Sequence, residues 1–407
     1  MAKKKKENVL ITAKELKAKV SEKDPHVIDL SSDIVSADHG KNPTGIPELD
    51  EMLGGGIPKG KLTEIFGWEA SGKSAIVDGI VTEALRNDGY VQVIETERAH
   101  EKNRLRQKLL KLPNLIKNLP QGKEISLSEW EFLKEQEMME RQEYEERGEE
   151  FPKEKMLYDP VDEVIWSGAD VIEHIISEHI TMLETLEGMG NADFPKVLIV
   201  DSIAACGSIK EEEAEVGDQQ FSPHAMVISK NLRNKIITLA AKTKTSIVWV
   251  NQLREKISTG GRFAALKGAK QSSDDYQTFG GKAIRFYASL RLNTADVGKY
   301  TLEHGEGKKK TKEPVGQWSE VHIIKSKVWG IAPWQKTRYI IGYDGGTDCA
   351  WGVFEHLKNN GMISSAGIHG SKVEGLEGKY FKKNSFQQFF VENKKELEEL
   401  IYDNTEE

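Results

Sequence analysis

The chain has 407 residues and a formal net charge of -8, with 38% hydrophobic and 30% charged residues. That length supports one large core with accessory segments, and the acidic balance excludes wholesale polyanion binding, so any nucleic-acid contact must come from local basic patches. Two cysteines, Cys206 and Cys349, exclude a disulfide framework or a four-cysteine zinc site and fit a reducing, cytoplasmic setting, and no apolar run approaches the roughly 20 residues of a membrane span.

Residues 1 to about 40 are polar, with one helical candidate from Thr12 to Val20, and read as an arm outside the core. Lys3 to Lys6 precede no apolar segment, so they do not read as a secretory signal. From Gly45 the pattern changes. Ile46 to Leu53 is a short amphipathic helix closed by Gly54-Gly55-Gly56, and Leu62 to Phe66 is β-type. Tyr90 to Glu95, Val197 to Val200 and Ser246 to Val250 are β-branched runs suited to parallel strands covered on both faces. Helices from Ala75 to Arg86, Ala169 to Leu186 and Ala225 to Lys242 supply the crossovers. Further strands are expected at Tyr287 to Leu292, Trp318 to Ile324 and Thr337 to Gly342, extending the sheet in antiparallel fashion. The fold class is therefore α/β with a mostly parallel twisted sheet.

A charged segment interrupts the alternation at about residues 107–160. Between Lys123 and Met156 twelve acidic residues stand against six basic ones, which reads as a solvated helix. Trp130, Phe132, Leu133, Met138 and Met139 would give it one apolar stripe for light packing on the core or a neighbour. After Cys349 the chain is a smaller mixed segment, ending in a helix from Lys394 to Tyr402 and an acidic tail.

Gly67-Trp68-Glu69-Ala70-Ser71-Gly72-Lys73-Ser74 matches the phosphate-loop pattern G-x-x-x-x-G-K-[ST] between a strand and a helix. Unpaired N–H groups and the positive end of the helix dipole converge there on an anion. Lys73 can reach the β- and γ-phosphates of ATP, and the Ser74 hydroxyl can enter a Mg²⁺ shell. In open parallel sheets ligands bind at the carboxyl ends of strands, and here each end carries a polar group. Asp201 can hold Mg²⁺ through water or by orienting Ser74, and a helix-capping Asp is the bland alternative. Glu97 is the candidate general base for the attacking water, with Glu95 more remote, against a purely structural role. Gln252 suits a sensor of the γ-phosphate, or a plain strand-end cap. The loop Arg254 to Phe279 is long for a compact connection. In it Arg254, Lys256, Arg262, Lys267 and Lys270 alternate with Phe263, Tyr276 and Phe279, the mixture expected for single-stranded nucleic acid.

The order of the phosphate loop, Ile94-Glu95-Thr96-Glu97, Leu198 to Ala205, Val250-Asn251-Gln252-Leu253-Arg254, Gly280 to Leu292 and Ile324-Lys325-Ser326-Lys327 resembles the RecA family of strand-exchange recombinases from about Gly45 to Asp348. The resemblance implies a RecA-like ATPase core over residues 41–348, an N-terminal polymerisation arm over 1–40 and a small C-terminal α+β domain over 349–407. It implies that Glu97 is the catalytic glutamate and that Gln252 is the switch between nucleotide and DNA. Arg254 to Phe279 would be the second DNA loop and Gly207 to Pro223 the first, although Glu211 to Glu213 weigh against DNA contact there. Lys325 and Lys327 would reach the γ-phosphate of the adjacent protomer, and Arg104 would stack on adenine. The implied activity is a DNA-dependent ATPase that forms helical filaments on single-stranded DNA and pairs them with double-stranded DNA, in the cytoplasm and away from membranes. A ring-forming relative, of helicase or clock type, and a weakly hydrolysing mediator are the alternatives. Trp68-Glu69-Ala70 in the phosphate loop, the longer second DNA loop and the charged insertion depart from the bacterial pattern, a mosaic that suits a bacteriophage-encoded recombinase.

Overall fold

The computed structural model describes residues 39–97, 102–116, 119, 123–189, 194–209, 223–255, 276–304, 311–343, 346–347 and 349–403. The expected arm with its Thr12 to Val20 helix lies outside them, as do residues 210–222 and 256–275 of the two expected DNA loops. Two short strands, β1 (Lys41–Asn42) and β2 (Ile57–Pro58), pair around helix α1 (Pro47–Leu53). The alternation then begins. Strands β3 (Leu62–Gly67), β4 (Tyr90–Glu95), β5 (Val164–Ser167), β6 (Lys196–Asp201), β7 (Ser246–Glu255), β8 (Tyr276–Thr278), β9 (Leu290–His304), β10 (Thr311–Ser326) and β11 (Lys336–Gly342) form one nine-stranded sheet. Its order is β11-β10-β9-β3-β7-β6-β4-β5, with β8 paired to β7.

Side chains alternate across the strands, so each apolar run feeds two layers. Val197 and Ile199 of β6 join one cluster, and Leu198 and Val200 join the other. The first layer is covered by α1, α2 (Lys73–Arg86) and α3 (Lys102–Leu109), through Leu49, Ile76, Ile80 and Leu105. Short helix α4 (Pro113–Ile116) and the charged helix α5 (Leu127–Glu146) follow. The second layer is covered by α6 (Ile172–Gly188), α7 (Pro223–Asn231) and α8 (Ile237–Thr243), through Ile176, Ile228 and Ala240, with a π-helical turn at Leu232–Ile236 between the last two. Helix α9 (Gly281–Tyr287) adds Ile284. Each fully buried Ile or Leu contributes about 1.5–3 kcal/mol.

Two expectations at the sheet's edge are corrected. Tyr287 ends α9, and the strand starts at Leu290, because an apolar run that short does not separate helix from strand by its pattern. That strand, β9, runs parallel to β3; the antiparallel pairings in this sheet are β9 with β10, β10 with β11 and the short β8 with β7. The charged segment is also divided differently. Helix α5 opens with a capping box between Ser126 and Glu129, then buries Trp130 against Leu110, Ile116 and Leu157, with the Arg106 guanidinium 4.2 Å from the Trp130 ring. Leu133 packs against that cluster and the buried Glu137 carboxylate pairs with Lys134 and Arg141, whereas Phe132, Met138 and Met139 are exposed. At 100° per residue Phe132 and Met139 lie about 200° and 180° round the helix from Trp130, so the expected single stripe does not exist.

Helices α10 (Ala350–Asn359), α11 (Phe386–Glu392) and α12 (Lys394–Asp403), with the small hairpin β12 (Ile363–Ser365) and β13 (Ser371–Val373), surround Trp351, Phe354 and Phe386 and reach Tyr300 and Ile340 on the sheet edge. No helix among the described residues is long and apolar enough to cross a membrane. Cys206 and Cys349 are buried and form no disulfide.

One polar contact in the core gives the fold a pH dependence. On α6, His179 is wholly buried and its Nε2 accepts from Trp249 Nε1 at 3.3 Å. Burial lowers its pKa from 6.5 to about 4. The unfolded chain therefore takes up a proton that the folded chain refuses, and stability falls as pH drops from about 6.5 toward 4. Between pH 7.5 and 5 this amounts to about 2 kcal/mol. His179→Gln, which keeps an acceptor for Trp249 but does not titrate, should flatten that part of the profile in urea unfolding measured at both pH values.

Candidate functional site

The phosphate loop is held by its carbonyls. Gln317 Nε2 donates to Ala70 O at 2.9 Å, Ser319 Oγ to Ser71 O at 2.8 Å, and Ser71 Oγ to Trp68 O at 2.7 Å. In trans peptides the following N–H points the other way, so the amides of Ser71 and Gly72 turn to the opposite side, toward an anion. Gly72 has φ +96° and a Cβ there would lie 2.7 Å from Ile341 Cδ1; a Cβ on Gly67 would lie 2.3 Å from Thr294 O. Both glycines are dictated by the backbone path of the loop against β9, β10 and β11. Lys73 Nζ donates to Gly67 O at 3.2 Å and Trp68 O at 2.7 Å, and burial lowers its pKa while Asp201, Glu97 and Glu69 oppose that shift.

Parallel strands bring the neighbouring carboxyl ends to the same edge. Glu97, just past β4, accepts from Ser202 Oγ at 2.5 Å and from Gln252 Nε2 at 2.6 Å, which joins the ends of β4, β6 and β7 through one carboxylate oxygen. Asp201 accepts a hydrogen bond from the Ser74 side chain; burial pushes its carboxyl up to about 6, with Glu97 and Asp78 adding to the rise and Ser74 and Lys73 opposing it. The donor set suits Mg²⁺. No dense cluster of acidic, His or Cys ligands occurs among the described residues, and Mg²⁺ is commonly held by one or two protein oxygens plus phosphate and water.

Behind this edge lies a buried ionic bridge. Glu64 on β3, with none of its surface exposed, pairs with Arg291 on β9 and accepts from Asn251 Nδ2 on β7 at 2.9 Å. Asn251 also donates to Phe279 O at 3.0 Å and accepts from Phe279 N at 3.2 Å and Gln252 N at 2.9 Å. It latches the two stems of the 256–275 loop beside Gln252. Arg254 lies on that stem, exposed, with Nη2 on Ala204 O at 2.9 Å and its guanidinium 5.3 Å from the Phe279 ring.

Three expected site residues lie apart from the cluster. Arg104 on α3 pairs with buried Asp78 on α2. Lys325 Nζ donates to Arg285 O and, at 3.1 Å, to Phe286 O; Lys327 Nζ donates to Phe286 O at 2.7 Å, so both cap the carboxyl end of α9. Burial and the neighbouring Lys327 lower the Lys325 pKa to about 8. Along β10, Ser319 touches the phosphate loop while Lys325 is six residues further on, roughly 20 Å at about 3.3 Å per residue. The two lysines therefore stand at the end of the sheet opposite their own phosphate loop. Lys256, Arg262, Phe263, Lys267 and Lys270 lie outside the described residues.

The sequence reading placed Ser202 beside Asp201 at a strand end, but it missed Thr294, Gln317 and Ser319. Nothing local marks them, since each acts on a segment about a hundred residues or more away in the chain.

A twisted parallel sheet with a phosphate loop at one carboxyl edge and a carboxylate–amide cluster beside it defines a phosphate-loop α/β nucleotide-binding protein. The family described as RecA N-terminal domain matches residues 23–139 and 160–348, and the chain belongs to that RecA family. The break at 140–159 falls within the charged segment. Among relatives, the chain is 26% identical over 360 residues to the mitochondrial DNA repair protein recA homolog 3 of Arabidopsis thaliana, covering 88% of this chain and 65% of that protein. It is 27% identical over 326 residues to Protein RecA of Streptomyces coelicolor, covering 80% of this chain and 66% of that one. Protein RecA of Syntrophus aciditrophicus is 26% identical over 326 residues, with 80% and 72% covered. The chain thus spans just under two thirds of the length of the first two relatives.

Gly67→Ala should force β3 and β9 apart at Thr294 O and cost about 2 kcal/mol or more, read as a lowered thermal midpoint, together with loss of nucleotide binding.

Proposed function

We propose that the chain is a DNA-dependent ATPase that assembles head to tail on single-stranded DNA as a helical filament and promotes homologous pairing and strand exchange. One observation carries the reading: Gln252 donates to Glu97 on the nucleotide side while its own backbone is held by Asn251, the latch of the 256–275 loop. A change at the phosphate is thus one hydrogen bond away from the stem of the basic loop. Names of relatives, among them a DNA repair protein, support the same reading.

In this mechanism Lys73 exchanges the carbonyls of Gly67 and Trp68 for the β- and γ-phosphates of ATP. Ser74 and Asp201 hold Mg²⁺, which neutralises charge on the phosphates. Glu97, exposed and oriented by Ser202, accepts a proton from the attacking water. Gln252 leaves Glu97 for the γ-phosphate and, through Asn251, shifts the stem on which Arg254 stands; Lys256, Arg262, Phe263, Lys267 and Lys270 complete the DNA-binding loop. Lys325 and Lys327, at the far end of the sheet, reach the γ-phosphate bound by a second copy. Arg104 exchanges Asp78 for the adenine ring.

Glu97→Gln should lower DNA-stimulated ATP hydrolysis by about a hundredfold or more while leaving ATP-dependent assembly intact. Lys73→Ala should abolish both. Lys325→Ala should leave nucleotide binding by dilute protein unchanged but reduce DNA-stimulated hydrolysis. Negative-stain microscopy with single-stranded DNA and a non-hydrolysable ATP analogue is the direct check: closed rings, or filaments persisting in Lys73→Ala, would refute the proposal.

A further inference from the structure

Helix α3 carries cations on two opposite flanks. At 100° per residue Arg104 and Lys108 lie about 40° apart and Arg106 about 200° from Arg104, with the wholly buried Leu105 and Leu109 between the flanks. On the first flank Arg104 pairs with buried Asp78 of α2, and Lys108 Nζ donates to Thr347 Oγ1 at 2.7 Å. The second flank meets the charged insertion. Arg106 Nε and Nη2 donate to the two carboxylate oxygens of Asp159 at 3.0 and 2.8 Å, its Nη1 donates to Asn103 Oδ1, and its guanidinium lies over the buried Trp130 ring of α5. Asp159 also accepts from Val161 N at 3.2 Å, which caps the 3₁₀ turn Pro160–Glu163 that leads into β5, beside β4. Leu105 and Leu109 press α3 onto the core, but apolar contact has no direction and fixes the depth of a helix better than its angle. A two-pronged arginine–carboxylate bond beside an indole fixes the angle as well. A roll of about 20° would carry a side-chain tip, about 5–6 Å from the helix axis, through roughly 2 Å, enough to lose hydrogen-bond or stacking geometry on the other flank.

We infer that Arg106, Asp159 and Trp130 form a clasp by which the charged insertion sets the angle of α3 and so places Arg104 for the base of the nucleotide. The inference rests on the reading in which Arg104 exchanges Asp78 for adenine. Asp159 falls in the 140–159 stretch that the family match leaves out, so the carboxylate of the clasp comes from the part of the chain that departs from the family. With the helix held at that angle, the exchange is a swing of one side chain and not a movement of the whole element. Arg106 and Asp159 are positioning residues. They act on the base through Arg104, whereas the triphosphate is gripped by Lys73 and the loop amides independently of them.

The test uses the full chain, dilute and without DNA, and measures how well ATP and inorganic tripolyphosphate, which has no base, displace a fluorescent ATP analogue. Asp159→Asn keeps an oxygen for Val161 N but loses the charge, and Arg106→Lys keeps the charge but loses the fork, so neither variant empties its site. Each should weaken ATP by about fivefold or more and leave tripolyphosphate within about twofold of wild type. In DNA-stimulated hydrolysis the same loss should appear in KM and not in kcat. Arg104→Ala should weaken ATP and spare tripolyphosphate, and Asp159→Asn added to it should weaken ATP no further. An unchanged ATP constant in both clasp variants, equal losses for ATP and tripolyphosphate, a fall in kcat, or additive losses in the double variant overturn the clasp while leaving the role of Arg104 standing. If Arg104→Ala binds ATP as the wild type does, the adenine reading falls and this inference falls with it.

Discussion

The Glu64 carboxylate, buried at the centre of the sheet, is the constraint on which the site depends. It spans three adjacent strands by pairing with Arg291 on one side and Asn251 on the other. Such a bridge adds little net stability compared with apolar packing, but removing one partner strands a charge at a cost of about 3–5 kcal/mol. Its value is in register. With β3, β7 and β9 locked together, Gly67 is aligned with Gln252 and with Thr294, and the phosphate loop meets the side chains that hold its carbonyls.

In the proposed mechanism Asn251 turns that static bridge into a coupling element. Its amide reaches Glu64 behind it, Phe279 across the loop stem and the backbone of Gln252 beside it. Stiffness on the sheet side makes any displacement of Gln252 pass toward the stem. Amide hydrogen bonds break and re-form at small net cost, whereas the ionic bridge does not exchange readily with water. The proposed switch and its mounting thus differ in the strength of their bonds.

Much of this was legible because phosphate loops are contiguous and parallel strands deliver their ends to one edge. Glu97, Asp201 and Gln252 could be picked from the ends of apolar runs, and the structure brings Glu97 to Gln252 and Asp201 to Ser74. Gln317, Ser319 and Thr294 were not legible, since their contact with the loop depends on β9 and β10 lying beside β3, a property of strand order that no local pattern records. Arg291 and Glu64 read as ordinary polar positions until the sheet closes over them. On α5 the error was one of period: Phe132 and Met139, seven residues apart, share a face, but it is the one turned from Trp130. Arg104 was chosen by likeness, and its partner Asp78 has no signature near it in the chain.

Strand β10 touches the phosphate loop at its middle, through Gln317 and Ser319, and leads at its carboxyl end to Lys325 and Lys327. In the proposed row of copies, the two terminal molecules would be chemically unlike: one would leave its nucleotide edge uncovered, and the other would leave its two lysines in water. Growth and loss at the two ends are then distinct reactions with separate rate constants. Polarity is a property of such an assembly from its first contact, before any DNA strand lends it a direction.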